Sequence, residues 1–221
     1  MLNKRLIIFT GHFGSGKTEV AVNSAVYLAA RHNTAIMDFD IVNPYFRTAD
    51  AKEFLLEKGI KVLTTKYANT NVDVPAVPGE INSLFIDKEQ KVVLDVGGDD
   101  VGAKALSAFK DQILSDDFGM YFVINVKRPM TDSVEKIENI ISEIEASSRL
   151  KITGLVNNTN LLNSSSGEEI IEGQKIIESA AVKLGVPIAF TSGFSDIVSR
   201  VKDQIKTDIL YMEKHIKLPW E

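Results

Sequence analysis

Leu6-Ile7-Ile8-Phe9-Thr10-Gly11-His12-Phe13-Gly14-Ser15-Gly16-Lys17-Thr18 decides the reading of this chain. Its first half is a short, unbroken apolar run, as expected of a strand buried on both faces. From Gly11 to Thr18 it fits G-x-x-x-x-G-K-[ST] without a mismatch. Thr18 to Arg31 then shows helical spacing through Val20, Ala21, Ala25, Leu28 and Ala29. A glycine-rich loop between a strand and a helix lets backbone N–H groups turn inward around a phosphate, and the helix N-terminus adds partial positive charge. Lys17 can reach the β- and γ-phosphates, and the Thr18 hydroxyl can hold Mg²⁺. Gly11, His12, Phe13, Gly14, Ser15, Gly16, Lys17 and Thr18 are therefore expected to bind nucleotide.

Further along, apolar runs alternate with amphipathic ones. Strands are predicted at Thr34 to Phe39, Lys61 to Thr65, Lys91 to Val96, Met120 to Val126, Ile152 to Asn157 and Val186 to Phe190. Helices are predicted at Thr48 to Glu57, Ile81 to Ile86, Val101 to Leu114, Thr131 to Ser147, Glu168 to Leu184 and Ser195 to His215. Residues 66–79, with Pro75, Pro78 and Gly79, read as a loop. The alternation implies an α/β fold, a three-layer α/β/α arrangement with a mostly parallel sheet. With 221 residues and no linker-like stretch, residues 1–221 read as a single domain.

Composition narrows the function classes. The 25 Lys and Arg against 30 Asp and Glu give a net charge of −5, so a dominant nucleic-acid surface is not expected. The absence of cysteine excludes disulfides, thiolate metal sites and a cysteine nucleophile. No apolar run approaches the ~18 residues that span a bilayer. The run Leu6 to Phe9 is too short for a signal peptide. The chain reads as cytoplasmic.

Carboxylates mark the strand ends, where ligands of parallel sheets sit. Asp38 and Asp40 close the second strand, and Asp95 ends Val92-Val93-Leu94 in the manner of a Walker B carboxylate. Thr18 and Asp95 are the candidate metal-shell residues that these motifs offer. Asp95-Val96-Gly97-Gly98 has the D-x-x-G spacing that lets the Gly98 N–H sense a γ-phosphate. Asp99 and Asp100 read as helix caps, and Glu19 as a first-turn acid favoured by the helix dipole.

On these motifs the chain resembles the MinD/ParA/CobQ/CobB-like proteins, SIMIBI-type members of the P-loop NTPase fold. That group also holds nitrogenase iron protein and the signal-recognition-particle GTPases. Asp38-Phe39-Asp40-Ile41 looks like the MinD stretch after its second strand, which implies that Asp40 touches the Mg²⁺ shell and orients the attacking water. Lys17 and Asp40 are then the catalytic candidates. Gly154-Leu155-Val156-Asn157-Asn158 is similar to the strand whose final Asn contacts adenine, which implies Asn158 on the base. Ile41 to Arg47 resembles a stretch of a subgroup known only as P-loop nucleotide-binding proteins. One departure stands out. The family's K-G-G-x-G-K-[ST] opens with a lysine that reaches a partner's nucleotide, and here His12 stands at that lysine's position and Phe13 at the next. A mostly neutral imidazole does not replace that charge. Lys127 or Arg128 could supply a compensating charge, but both read rather as solvated surface residues.

Asn157-Asn158-Thr159-Asn160 lacks the lysine and acid of a guanine signature, so ATP is expected rather than GTP, with Mg²⁺. The resemblance implies an ATPase acting as a nucleotide switch on an unidentified protein partner, with a homodimer in view. The alternatives are an ATP-dependent small-molecule enzyme, similar to dethiobiotin synthetase or the cobyrinic acid amide synthetases, and a slow nucleotide-binding scaffold. The final helix, with Ile197, Val201, Ile205, Ile209 and Met212 at helical spacing, is expected to dock on the sheet rather than bind a membrane.

Overall fold

The computed structural model describes residues 1–39, 48–64, 81–98 and 100–216. Its strands are β1 (Leu6–Thr10), β2 (Thr34–Phe39), β3 (Lys61–Thr64), β4 (Lys91–Val96), β5 (Phe118–Ile124), β6 (Gly154–Asn157), β7 (Ile188–Phe194) and β8 (Ile209–Met212). Helices α1 (Lys17–Ala29), α2 (Lys52–Glu57), α3 (Ile81–Ile86), α4 (Asp100–Ser107), α5 (Lys110–Leu114), α6 (Val134–Ser148), α7 (Gly167–Leu184) and α8 (Ser195–Val198) connect them.

The strands form one sheet in the order β3-β2-β4-β1-β5-β6-β7-β8, and every described pairing is parallel. Parallel strands need both faces covered, and the residue pattern supplies this. All five residues of β1 are buried. Leu6 and Ile8 join the core that includes Ala103, Ile137, Ile141 and Ile177 of α4, α6 and α7. Ile7 and Phe9 join the opposite core with Val20, Ala21 and Leu28 of α1 and Leu55 of α2. The three-layer expectation holds, and the sheet has eight described strands.

Two helix ends follow local chemistry. Ser166 and Glu169 form a capping box at the start of α7, and Gly185 ends it at φ 66°, a left-handed position that glycine adopts without strain. The run Val101 to Leu114 divides into α4 and α5 at Ala108 and Phe109.

The C-terminal expectation is overturned. Ser195 to His215 is not one helix but α8, a 3₁₀ turn at Lys202–Gln204, and the strand β8, which pairs with β7 from Thr191↔Ile209 to Phe194↔Met212. Leu210 and Met212 point inward and Tyr211 outward, the period-two pattern of a strand. Val198, Val201 and Ile205 pack with Ile170 in a small core of their own. The helical spacing is real in the sequence, but the apolar residues serve two different cores. No described helix is long and apolar enough to cross a membrane.

At the opposite edge from the strand C-termini, Arg5 closes the bottom of the sheet. Its guanidinium donates to the carbonyls of Leu84, Asp87 and Gln90 at 3.1 Å each and grips Asp116 with both branches. Burial pushes the Asp116 carboxyl up, but hydrogen bonds and charge from Arg5 and Lys88 outweigh it and hold the pKa at about 2. A lowered native pKa contributes stability above the ordinary carboxylate range and loses it as pH falls toward 2. Asp116→Asn should therefore destabilise the fold by roughly 3 kcal/mol at pH 7. Urea unfolding should show the gap from wild type narrowing below about pH 4; a gap that is constant with pH would contradict this account.

Candidate functional site

After β1 the chain crosses to β2 and β3 on one side of the sheet, comes back to β4 beside β1, and then continues on β1's other side through β5 to β8. The loop after β1 thus sits at the switch point, where a crevice opens beyond the strand C-termini. Gly11 to Gly16 occupy that crevice and lead into α1. Gly14 and Gly16 take φ 78° and 80°, conformations that a side chain resists. A Cβ on Gly16 would also run into the Asn158 carboxamide.

Neighbouring strands hold the loop from outside. Asn158 Nδ2 donates to the Ser15 carbonyl at 2.7 Å, and Ser192 Oγ donates to Asn158 Oδ1 at 3.0 Å. Arg128 Nε donates to the Gly14 carbonyl at 3.0 Å. Beyond β4, Gly98 lies so close to the Gly11 carbonyl that a Cβ there would overlap it. Ser15 is 1% exposed and its Oγ has no hydrogen-bond partner among the described residues. Lys17 and Thr18 are buried at the start of α1.

The carboxylates gather on the β4 side. Asp38 and Asp95 are direct neighbours in the β2–β4 register, and both are buried. Ile36 and Phe9 belong to the α1-side core, whereas Met37, Phe39 and Leu94 belong to the other, so alternation turns Asp38 and Asp95 toward the α1 layer. Thr48 Oγ1 donates to Asp95 Oδ2 at 3.0 Å. Asp40, the stretch Ile41 to Arg47, the loop 66–79, Asp99 and Trp220 lie outside the described residues. Among the described residues no group of three metal-ligating side chains forms.

On the other side of the loop a cavity of about 630 Å³ opens over the ends of β5 to β8. His12, Phe13, Gly14, Gly16, Lys17 and Thr18 form its floor. Its walls are Arg128 and Pro129 after β5, Asn158, Asn160 and Leu162 after β6, Gly193 and Phe194 of β7, and Met212, Lys214 and Ile216 at the C-terminal end. Asn158 lines this cavity, and both ends of its carboxamide are engaged, one with the Ser15 carbonyl and one with Ser192. His12 Nδ1 sits 3.1 Å from the Phe13 carbonyl, and Phe13 is 62% exposed.

Three lining groups were not foreseen from the sequence. Arg128 is half-buried and bonded to the loop rather than solvated. The 212–216 segment is present because β8 is a strand. Glu19 does more than complement the helix dipole: it accepts the backbone N–H groups of His215 at 2.8 Å and Ile216 at 3.1 Å. Burial raises its pKa, against the lowering effect of those same bonds. His215 is partly buried and stacks on Phe54 with ring centroids 4.2 Å apart.

No protein-family model matches this sequence, and a sequence search of curated proteins finds no match. Solved structures do match its fold. Cell division protein FtsY from Thermotoga maritima superposes with a TM-score of 0.55 at 18% identity, over 86% of this chain and 61% of that one. This is the P-loop NTPase fold. The signal recognition particle 54 kDa protein from Aeropyrum pernix, in complex with GDP, gives 0.53 at 18% identity over 85% of this chain and 41% of that one. A nucleotide-binding protein from Archaeoglobus fulgidus, in complex with ADP, gives 0.50 at 18% identity over 89% and 84%. The chain thus spans about three-fifths of FtsY's length and less of the 54 kDa protein. At these identities the likeness is one of architecture.

Among the loop-side glycines Gly11, Gly14, Gly16 and Gly98, Gly98 leaves the least room for a Cβ. Gly98→Ala should cost about 1–3 kcal/mol in urea unfolding, because the Gly11 carbonyl and the loop behind it must move. A variant as stable as wild type would show that the two backbones are not in close contact.

Proposed function

We propose that the chain binds a nucleoside triphosphate, ATP in preference to GTP, and hydrolyses it as a switch acting on a protein partner. The observation that carries this reading is the braced loop 11–16. Its carbonyls at Gly14 and Ser15 are tied to flanking side chains, its glycines leave no Cβ in the cradle, and the buried Ser15 Oγ lacks a protein partner. Such a loop, at the start of a 13-residue helix with Lys17 and Thr18 in its first turn, fits a polyphosphate. Thr18 and Asp95 are the described residues fitted to a Mg²⁺ shell, and the resemblance adds Asp40. The ion, when bound, neutralises charge between phosphate oxygens.

The protein's part is mostly positioning. Loop amides and Lys17 take up negative charge as it moves toward the leaving oxygens. Gly98, pressed on the loop from the β4 side, is placed to register the terminal phosphate. Asp40 orients the attacking water.

The choice of base rests on the cavity. Guanine presents N–H donors that GTP-specific sites commonly meet with a carboxylate. Glu19 is the one carboxylate among the described cavity-lining residues, and its two oxygens already accept from His215, Ile216 and Asn23. Adenine makes no such demand. The fold itself accommodates either base, since its neighbours include two GDP complexes and one ADP complex.

Calorimetry with Mg²⁺ and ATP or GTP tests the reading. Lys17→Ala should lower ATP affinity by roughly tenfold or more, since a charge-assisted contact contributes about 1.5–3 kcal/mol. Unchanged affinity would remove the loop from the binding site. Asp40→Ala should instead lower turnover at saturating ATP while affinity changes little. Normal turnover with weakened affinity would reverse that role.

A further inference from the structure

We propose that residues 212–216 form the base wall of the nucleotide pocket, and that Glu19 is the positioning residue that fastens this wall to the phosphate-binding helix. The proposal rests on the nucleotide reading above and goes beyond it by naming what holds the base.

With phosphates on the loop and their terminal end toward Asp95 and Gly98, the nucleoside has to extend the other way, into the cavity over β5 to β8. Away from the loop that cavity is lined largely by Pro129, Leu162, Phe194, Met212 and Ile216, an apolar slot suited to a flat heterocycle. Two of these five come from the C-terminal segment. Past β8 that segment pairs with no strand among the described residues and is held by two side chains one turn apart on α1. Asn23 exchanges a pair of hydrogen bonds with the backbone of Glu213, both at 2.9 Å. Glu19 accepts the next two available N–H groups, those of His215 and Ile216. The two side chains thus imitate the edge of a strand across 190 residues or more of sequence. The His215 ring, stacked on Phe54, adds a third fastening.

Glu19 directly follows Thr18, so one helical turn carries the phosphate contacts and the anchor of the base wall. Loosening the anchor should therefore weaken nucleoside recognition and leave polyphosphate recognition alone. A purely structural role would not separate the two.

The test compares ATP with inorganic tripolyphosphate, both with Mg²⁺, by calorimetry on the full chain. Glu19→Ala should lose about tenfold in ATP affinity, the effect of one to two charge-assisted bonds, with tripolyphosphate affinity changed less than about twofold. Glu19→Gln, which keeps one acceptor oxygen, should fall between. On wild type, hydrogen exchange at the amides of 213–216 should slow with ATP and stay unchanged with tripolyphosphate, a readout independent of whether the variants fold. Equal losses for both ligands, or exchange that tripolyphosphate slows as much as ATP does, would overturn the base wall. Wild type that binds tripolyphosphate but neither ATP nor GTP would overturn the nucleotide reading as well.

Discussion

Everything proposed for this site depends on how the loop's backbone carbonyls are disposed of. A loop whose buried carbonyl oxygens are bonded by other groups can turn its N–H groups toward an anion without leaving acceptors unpaired. Here two are satisfied by side chains from other strands' loops, Arg128 on Gly14 and Asn158 on Ser15. A third, that of Gly11, lies under Gly98. The parallel sheet places these donors within reach, since β5, β6 and β4 all end on the same side as β1. The fold therefore acts on function through a few contacts to main-chain oxygens.

The two sides of the loop have different characters. Toward β2 and β4, Asp38, Asp95 and Thr48 form a buried polar corner. Toward β7 and β8 the cavity is largely apolar, with Asn160 and Lys214 at its polar points. Asn160 is itself held in place, donating to the Asn158 carbonyl at 2.8 Å while its own carbonyl accepts from Asn125 at 2.9 Å. The proposed function assigns the polar side to the terminal phosphate and the apolar side to the base, the polarity of a nucleoside triphosphate.

Much of this was legible in the sequence, for local reasons. The strand, loop and helix from Leu6 to Ala29 are contiguous, so composition and spacing carry the whole unit. Asp95 and Gly98 are read from one strand end. What escaped was set by contacts distant in sequence. Arg128 looks like any exposed arginine until the fold brings it to Gly14, 114 residues away. Asn158 was expected on the base, but nothing local reveals that Ser15 and Ser192 would engage both ends of its side chain. The C-terminal error has a sharper cause: Val201, Ile205, Ile209 and Met212 fit a helix by spacing, yet pairing with β7 turned the last of them into an edge strand. Glu19 then acquired partners that its position in the first turn of α1 does not announce.

The central claim is that one loop divides a phosphate site from a base site. The most direct measurement is an amide ¹⁵N–¹H spectrum of the protein with Mg²⁺, recorded with ATP and again with tripolyphosphate. The account predicts that both ligands shift the resonances of residues 14–18. It predicts that ATP alone shifts those around Leu162, Phe194 and 212–216. Shifts confined to surfaces away from residues 11–18, or an ATP footprint identical to that of tripolyphosphate, would contradict it.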